Sequence, residues 1–289
     1  METSELKKCD KSFFEAAGGG VSVEAMKQSR NASVLEIRTY FVRERNALIA
    51  RGVLEELYID YYLHQGQHGY QHRPQDDGML KEALAAMALH AASRPRNETL
   101  AWTLHFEDPL LNLFVTGENP TGRLVGQLFY ENVKKMGRNM LCSDSVRAED
   151  APQRSVVDFE GGEVFKAAER FYEQSEQRTG RFFEIGPEEY VLISAQPDCD
   201  EEWLAGLTVE MVQSLDEQEQ LSLLEEREYR WDCGCDQAKM LSVLAPVMRM
   251  DPEGLFGEES LVRIGCPRCG AKHTVTRESL EAFVASGRR

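Results

Sequence analysis

The chain has 289 residues, of which 42% are hydrophobic, and this length accommodates one large domain and a small one. Lys and Arg number 33 against 49 Asp and Glu, and the resulting net charge of −16 argues against general binding to nucleic acid or to anionic membranes. No apolar run approaches the ~18–20 residues that cross a membrane, and the N-terminal residues lack the apolar core of a signal peptide.

The first segment, residues 1–35, is predicted to be a weakly ordered lead. It contains the triplet Gly18-Gly19-Gly20 and no sustained hydrophobic period. The triplet lacks the Lys-Ser/Thr that completes a phosphate-binding loop, so we interpret it as a linker.

The second segment, residues 36–197, is predicted to be an α+β domain. Apolar residues at three- and four-residue steps predict helices over 44–63, 79–93 and 163–177. Alternating apolar residues predict strands within 100–130, over 155–159 and over 181–194, with a polar loop at 143–154. Short turns between the strands favour an antiparallel sheet against which the helices pack.

Three histidines, His64, His68 and His72, are spaced four residues apart. On one continuous helix they would share a face and could bind a metal ion. Two glycines and a proline interrupt that helix, and no carboxylate completes a zinc-hydrolase pattern. A surface or loop position is therefore favoured over a metal site.

Residues 198–231 are predicted to be an acidic helical linker. Within 198–228 there are eleven acidic residues and one basic residue, Arg227. Apolar residues keep a helical spacing through this segment, which indicates a solvated helix pair. The alternative is a marginal segment that self-repulsion keeps close to unfolding.

The last segment, residues 232–289, carries four of the seven cysteines in two tight pairs. Cys233 and Cys235 are separated by one glycine, and thirty residues later Cys266 and Cys269 form a Cys-x-x-Cys motif followed by Gly270. Four thiolates at such spacing predict a tetrahedral Zn²⁺ site. Asp236 and Thr276 are predicted to cap the two helices of this unit.

The three other cysteines, Cys9, Cys142 and Cys199, stand alone. An odd total with four cysteines in metal-type pairs fits a reducing cytoplasm better than a disulfide scaffold. Segment 232–289 holds eight acidic and eight basic residues, so it lacks the basic face of a nucleic-acid-binding zinc ribbon.

These motifs resemble the heat shock protein 33 family of redox-regulated chaperones over roughly residues 40–285. The four-cysteine pattern is the most specific part of the resemblance, and Ser175-Glu176-Gln177, which ends a helix after Phe171-Tyr172, is the next. The segments Gly122–Gly126 and Val191–Pro197 are also similar to strands of that family.

The resemblance implies a chaperone that holds unfolding proteins without ATP and is not an enzyme. It implies that Zn²⁺ holds the four cysteines in a reduced, inactive state, and that oxidation pairs Cys233 with Cys235 and Cys266 with Cys269. Zinc is then lost, and the linker exposes apolar residues to unfolded clients or to a second subunit in a homodimer. The candidates for this contact are Trp203, Leu204, Leu207 and Met211.

Two other functions stay open from the sequence. One is a zinc-ribbon adaptor or nucleic-acid-binding protein in which the four cysteines are purely structural. The other is an enzyme that uses His64, His68 or His105 in a pocket that sequence cannot reveal. The acidic linker and the neutral C-terminal unit favour the redox-regulated chaperone, without nucleic-acid or membrane partners.

Overall fold

The computed structural model describes residues 34–148 and 150–287 of the chain. The predicted lead lies outside the described residues except for its last two positions, and Cys9 lies outside them as well. The described strands are β1 (Leu35–Val42), β2 (Ala47–Val53), β3 (Glu98–Glu107), β4 (Leu110–Glu118), β5 (Arg123–Phe129), β6 (Asn139–Arg147), β7 (Gln153–Phe159), β8 (Gly180–Gly186), β9 (Glu189–Ala195), β10 (Leu221–Trp231), β11 (Leu261–Gly265) and β12 (Lys272–Thr276). The described helices are α1 (Glu55–His68), α2 (Pro74–Ala92), α3 (Val164–Gln174), α4 (Glu201–Gly206), α5 (Val209–Gln213), α6 (Leu215–Gln218), α7 (Gln237–Met250), α8 (Pro252–Phe256) and α9 (Arg277–Ala285).

Ten of these strands form one sheet in the order β7-β6-β3-β4-β5-β10-β1-β2-β9-β8. Neighbouring strands are antiparallel, except that β10 runs parallel to β5 where Arg230 and Trp231 lie beside the start of β5. Strands β11 and β12 form a separate antiparallel pair. The predicted α+β fold with an antiparallel sheet is therefore confirmed.

Helix α2 lies at the centre of the main core. Every residue from Ala83 to Ala92 is buried, and the helix packs against strands from both halves of the sheet, including β4, β5 and β9. A helix that is covered on all sides must be apolar all round, and its many alanines allow close approach to the sheet. The predicted helix over 79–93 is confirmed.

The helix predicted over 44–63 is wrong in its first part. Residues Ala47–Val53 form strand β2, and helix α1 begins only at Glu55. Strand β2 pairs with β1 on one edge and with β9 on the other. Strand β1 directly precedes β2 in the sequence, but β9 comes from a distant part of the chain, so the local spacing of apolar residues did not distinguish a strand from a helix here.

The polar loop predicted at 143–154 is also wrong at both ends, since β6 extends to Arg147 and β7 begins at Gln153. Residues Asn139–Arg147 form β6, which pairs with β3 and with β7 along most of its length. The polar residues Ser143, Asp144 and Ser145 lie within this strand because its backbone N–H and C=O groups form hydrogen bonds with strands on both edges. The strand predicted at 155–159 is confirmed as β7.

The acidic segment is helical only in its first half. Helices α4, α5 and α6 span 201–218, but Leu221–Trp231 form strand β10, so the helical prediction is wrong there. Strand β10 fills the gap between β1 and β5 and pairs with β1 from Leu35 opposite Tyr229 to Val42 opposite Leu221. The pairing energy of a central strand overrides the helical spacing of the leucines.

The C-terminal residues form a small unit around their own core of Met240, Phe256, Val275 and Leu280. The Asp236 carboxylate accepts a hydrogen bond from the backbone N–H of Lys239 at 2.7 Å and caps α7. The Thr276 hydroxyl accepts one from the N–H of Ser279 at 3.2 Å and caps α9. Both predicted caps are confirmed.

Candidate metal centre

The four paired cysteines converge on one point. Their Sγ atoms all lie within 4.8 Å of one another, with 3.6 Å between Cys233 and Cys266 and 3.5 Å between Cys235 and Cys269. A tetrahedron of sulfurs at 2.3 Å from a central zinc ion has edges of about 3.8 Å. The four thiols can therefore hold a metal ion with little rearrangement.

Two tight turns bring the sulfurs together. Gly234, between the first two cysteines, has φ +64°, and Gly270, directly after the last, has φ +74°. The second turn is closed by backbone hydrogen bonds from Gly270 to the Cys266 carbonyl at 2.9 Å and from Cys266 to the Ala271 carbonyl at 2.8 Å. Positive φ favours glycine at both positions.

The centre lies against the main sheet. Cys266 and Cys269 are buried together with Ala271 and with Val125 of strand β5. Cys233 and Cys235 are half-buried and complete this cluster. A residue of the large sheet therefore forms part of the apolar wall of the centre and restricts access of water to the sulfurs.

Two side chains from the N-terminal half bind the backbone of the second cysteine pair. The Tyr70 hydroxyl donates to the Cys269 carbonyl oxygen at 2.8 Å, and His64 Nε2 lies 2.9 Å from the same oxygen. Since a carbonyl oxygen only accepts, the proton is on His64 Nε2 in this contact. Nearby, the backbone N–H of Lys272 donates to His68 Nδ1 at 3.1 Å.

Two arginines lie beside the centre. Arg268, inside the Cys-x-x-Cys motif, forms an ion pair with Glu118 and donates to the Cys233 carbonyl at 3.4 Å. Arg123 forms an ion pair with Asp232 at 3.0 Å. Both guanidinium groups oppose the negative charge that four thiolates create.

Hydrogen bonds among the sulfurs shift the thiol pKa values in opposite directions. Bonds from Cys233 first, and then from Cys235 and Cys269, lower the pKa of Cys266. The pKa of Cys269 is raised by its bonds with the same group of thiols, with Cys233 as the largest contributor. The four thiols thus titrate as a set rather than independently.

The three histidines are divided between a helix and the segment after it, and α1 continues through Gly66 to His68 instead of ending before it as the sequence predicts. His64 and His68 lie on α1 with ring centroids 4.5 Å apart, whereas His72 precedes α2. Within the described part of the chain, the four cysteines are the one group whose ligand atoms converge as a metal site requires. Sequence reasoning missed the contact of His64 and Tyr70 with Cys269, because about 200 residues separate the partners and no local signal marks it.

The lone cysteines Cys142 and Cys199 are half-buried on β6 and in the turn before α4. Burial raises the pKa of both thiols, which lowers their thiolate fraction.

The four apolar residues predicted to contact clients are packed onto the sheet. Leu204 and Leu207 are 0% and 3% exposed, and Trp203 and Met211 are partly buried beside them. They cover apolar residues of β2, β8 and β9, namely Ala47, Ile49, Phe183, Ile185, Val191, Ile193 and Ala195. We call residues 199–218 the apolar cover.

Among the described residues, no helix is long and apolar enough to cross a membrane.

Comparisons with known proteins agree with this geometry. The family model described as Hsp33 protein matches residues 188–276, which include the apolar cover, β10 and all four paired cysteines. A 33 kDa chaperonin of Nitrosococcus oceani is 21% identical over 45% of this chain and 52% of its own length. One of Edwardsiella ictaluri is 23% identical over 72% of this chain and 82% of its own length.

A solved structure has the same fold. The crystal structure of the 33 kDa chaperonin, a heat shock protein 33 homologue, from Thermotoga maritima superposes with a TM-score of 0.65. It is 14% identical to this chain, and the match covers 88% of this chain and 98% of the other. Together these findings confirm the resemblance predicted from the cysteine pattern: the chain is similar to the heat shock protein 33 family in its fold and in the segment that carries the four paired cysteines.

Proposed function

We propose that this protein is a redox-regulated chaperone that holds unfolding proteins without ATP in the cytoplasm. In the reduced state Cys233, Cys235, Cys266 and Cys269 bind one Zn²⁺ ion and the chaperone is inactive. The arrangement of four sulfur donors suits Zn²⁺, which prefers tetrahedral thiolate sites. When bound, the ion fixes four thiolates in one place, and in a unit this small that binding energy stabilises the fold.

The observation that carries the proposal is the continuity between the cysteine centre and the apolar cover. Strand β10 begins three residues after α6 and ends at Trp231, two residues before Cys233. Disorder at the centre would therefore loosen the Trp231 end of a segment that is continuous with the cover. The comparisons support this link, since the family model spans the whole stretch.

Oxidation is the proposed trigger. Two thiolates give up two electrons to one molecule of hydrogen peroxide, which takes up two protons from the solvent and is reduced to two molecules of water while the S–S bond forms. Two peroxide molecules convert the four cysteines to two disulfides. Disulfide sulfurs are not thiolate ligands, so the oxidised chain no longer retains the ion.

The family resemblance implies disulfides between Cys233 and Cys235 and between Cys266 and Cys269. The structure also brings together the alternative partners, since Cys233 and Cys266 are 3.6 Å apart. Peptide mapping of the oxidised protein distinguishes the two pairings.

The proposed client surface has two sides. On one side are Trp203, Leu204, Leu207 and Met211 of the apolar cover. On the other are the sheet residues that they bury, including Ile49, Phe183 and Ile193. Separation of the two sides would expose an apolar patch to unfolding proteins or to a second copy of the chain. The names of the relatives, 33 kDa chaperonin, support a client-binding role.

The test measures zinc and chaperone activity in the same samples. Reduced protein is expected to contain one Zn²⁺ per chain and to leave the aggregation of a chemically unfolded enzyme unchanged. Peroxide should release the ion and suppress aggregation at near-stoichiometric ratios without ATP. A chain with Ser at all four positions should bind no zinc, whereas a matched control with Ser at Cys142 and Cys199 should behave like wild type.

Three outcomes contradict the proposal. If reduced wild-type protein contains no zinc, the proposed metal centre is wrong. Zinc retained after peroxide treatment, or aggregation equally suppressed with and without peroxide, would instead indicate a structural centre such as that of a zinc-ribbon adaptor.

A further inference from the structure

The main-chain carbonyl of Cys269 is held by the N-terminal half of the protein. Its oxygen accepts hydrogen bonds from the Tyr70 hydroxyl at 2.8 Å and from His64 Nε2 at 2.9 Å. His64 lies on α1, and Tyr70 lies in the turn that follows this helix. Because this carbonyl belongs to a proposed metal ligand, the two bonds fix the backbone that aims the Cys269 sulfur.

Gly270 shows how closely the two surfaces fit. A Cβ atom added at Gly270 would lie 3.0 Å from Tyr70 Cζ and 3.1 Å from Gln127 Oε1. The φ of Gly270 is also positive, at +74°. The turn after Cys269 therefore has room for the Tyr70 ring only because Gly270 carries no side chain.

Charged side chains connect the first cysteine pair, Cys233 and Cys235, to the sheet. Arg123 of β5 binds the Asp232 carboxylate at 3.0 Å, and the other oxygen of that carboxylate accepts from the backbone N–H of Gly234 at 2.9 Å. Arg268 connects Glu118 of β4 to the Cys233 carbonyl. Both cysteine pairs are thus positioned by residues outside the C-terminal unit.

We propose that Tyr70 and His64 are positioning residues for the metal centre, which raise its zinc affinity and slow its oxidation. This inference rests on the proposed function, since it requires that the four cysteines bind zinc. When the C-terminal unit docks, the two bonds hold Cys269 in the geometry of a bound ligand before the ion arrives. By thermodynamic linkage, the free energy that docking of the C-terminal unit adds to zinc binding equals the free energy that zinc binding adds to docking.

The expected change in zinc affinity is that of losing a single hydrogen bond. A net contribution of one such bond corresponds to roughly a two- to tenfold change in an equilibrium constant. Removing the Tyr70 hydroxyl leaves the His64 bond in place, so the Cys269 carbonyl keeps one partner. Removing both bonds leaves a buried acceptor unsatisfied, and the loss should exceed that of the single change.

The experiment uses the full chain and the variant Tyr70→Phe. Competition with a chromogenic chelator under reducing conditions should show a zinc dissociation constant raised roughly two- to tenfold, and more in Tyr70→Phe with His64→Ala. The matched control is Tyr62→Phe on α1, whose hydroxyl binds Asp77 at 2.6 Å instead of the cysteine unit. This control should keep the wild-type zinc affinity.

Two further readouts do not depend on chaperone activity. At a fixed peroxide concentration, zinc release should be faster from Tyr70→Phe than from wild type or Tyr62→Phe. The rise in Tm that zinc gives to the full chain should be smaller in Tyr70→Phe, because linkage is reciprocal.

The outcomes separate this inference from the proposed function. A wild-type chain that binds no zinc overturns both. A wild-type chain that binds zinc, with Tyr70→Phe and the double variant equal to it in affinity and release rate, overturns the positioning role alone.

Discussion

The indole of Trp231 packs against the ring of Tyr61, with 5.0 Å between centroids and 53° between the ring planes. Trp231 is the last residue of β10 and lies two positions before Cys233, while Tyr61 is fully buried on α1. Three parts of the protein therefore meet at this pair: the central strand β10, helix α1 and the cysteine centre.

The three tryptophans are expected to respond to oxidation in a fixed order. Trp231 lies beside the cysteine centre, Trp203 lies in the apolar cover, and Trp102 is fully buried in the main core. In variants that keep one tryptophan, with Phe at the other two positions, peroxide should shift the emission of Trp231 to the red first. Trp203 should follow, and Trp102 should not change.

The measurement is time-resolved fluorescence recorded alongside zinc release. The same variants with Ser at the four paired cysteines provide the control, since peroxide should leave their emission unchanged. A red shift of Trp102 together with Trp231 would mean that the whole protein unfolds, which contradicts a switch confined to the cysteine centre and the apolar cover.

Arg45 fastens both ends of the apolar cover. It pairs with Asp200 at 2.6 Å before α4 and with Glu219 at 2.9 Å after α6, and its guanidinium lies 5.6 Å from the centre of the Trp203 ring. The variant Arg45→Gln should increase hydrogen exchange in 201–218 roughly two- to fivefold, since half-exposed ion pairs are screened by solvent. It should also give partial chaperone activity in the reduced state.

The matched control is Arg138→Gln, which removes an exposed ion pair with Asp158 at 2.8 Å in a different part of the sheet. This control should match wild type in both measurements. If Arg45→Gln exchanges as slowly as wild type, then apolar packing alone holds the cover.

The two parts of the acidic segment are expected to respond differently to activation. The sequence predicts release of all of 198–231, but β10 is a central strand with additional anchors. The Tyr229 hydroxyl donates to Asn119 Oδ1 at 2.7 Å, and Arg227 Nη1 donates to the Ala91 carbonyl at 3.0 Å. We therefore expect peroxide to remove amide protection from 201–218 while most of β10 stays protected.

Hydrogen exchange with mass spectrometry of reduced and peroxide-treated protein measures this directly. Loss of protection in 201–218 and 221–229 together would show that the segment is released as a whole. Equal protection of 201–218 in both states, with client binding still increased, would show that the cover is not the switch.

His90 predicts a pH dependence of stability. It is buried on α2 with Nδ1 2.9 Å from the Tyr172 hydroxyl, and burial lowers its pKa well below the ordinary value. The folded state disfavours the charged form of His90, so the unfolded chain binds one more proton than the folded chain below about pH 6.5. The free energy of unfolding therefore decreases as the pH is lowered. The free energy of unfolding should drop by about 1.4 kcal/mol between about pH 7.5 and pH 5.5 through this group.

The measurement is denaturant unfolding of the reduced protein across this pH range. The variant His90→Gln should be less stable at every pH, but its stability should vary less with pH by this amount. An unchanged pH slope in the variant would show that His90 does not carry the effect.

The cysteine centre could be predicted from the sequence because its determinants are local. Each pair of sulfurs is brought together by one or two intervening residues, and Gly234 and Gly270 allow the turns. The same holds for the caps at Asp236 and Thr276, whose partners lie three residues away. Helix α2 was also predictable, since its apolar positions recur over many turns.

Long-range pairing decided what local patterns left ambiguous. Residues of β10 have the spacing of a helix, but an open position between β1 and β5 satisfies their backbone as a strand. The spacing of apolar residues in β2 likewise predicts a helix, but this strand pairs with β9 from a distant part of the chain. In both cases backbone hydrogen bonds to distant strands outweigh a local preference of tenths of a kcal/mol per residue.

By itself, the sequence determined that four cysteines would meet in one small unit and that an acidic, apolar-striped segment would precede it. Only the tertiary structure placed that unit against Val125, Tyr70 and His64 and laid the segment over the sheet. The physical reason is separation: Tyr70 and Cys269 are 199 positions apart in the sequence, and only the folded sheet brings the Tyr70 hydroxyl within 2.8 Å of the Cys269 carbonyl.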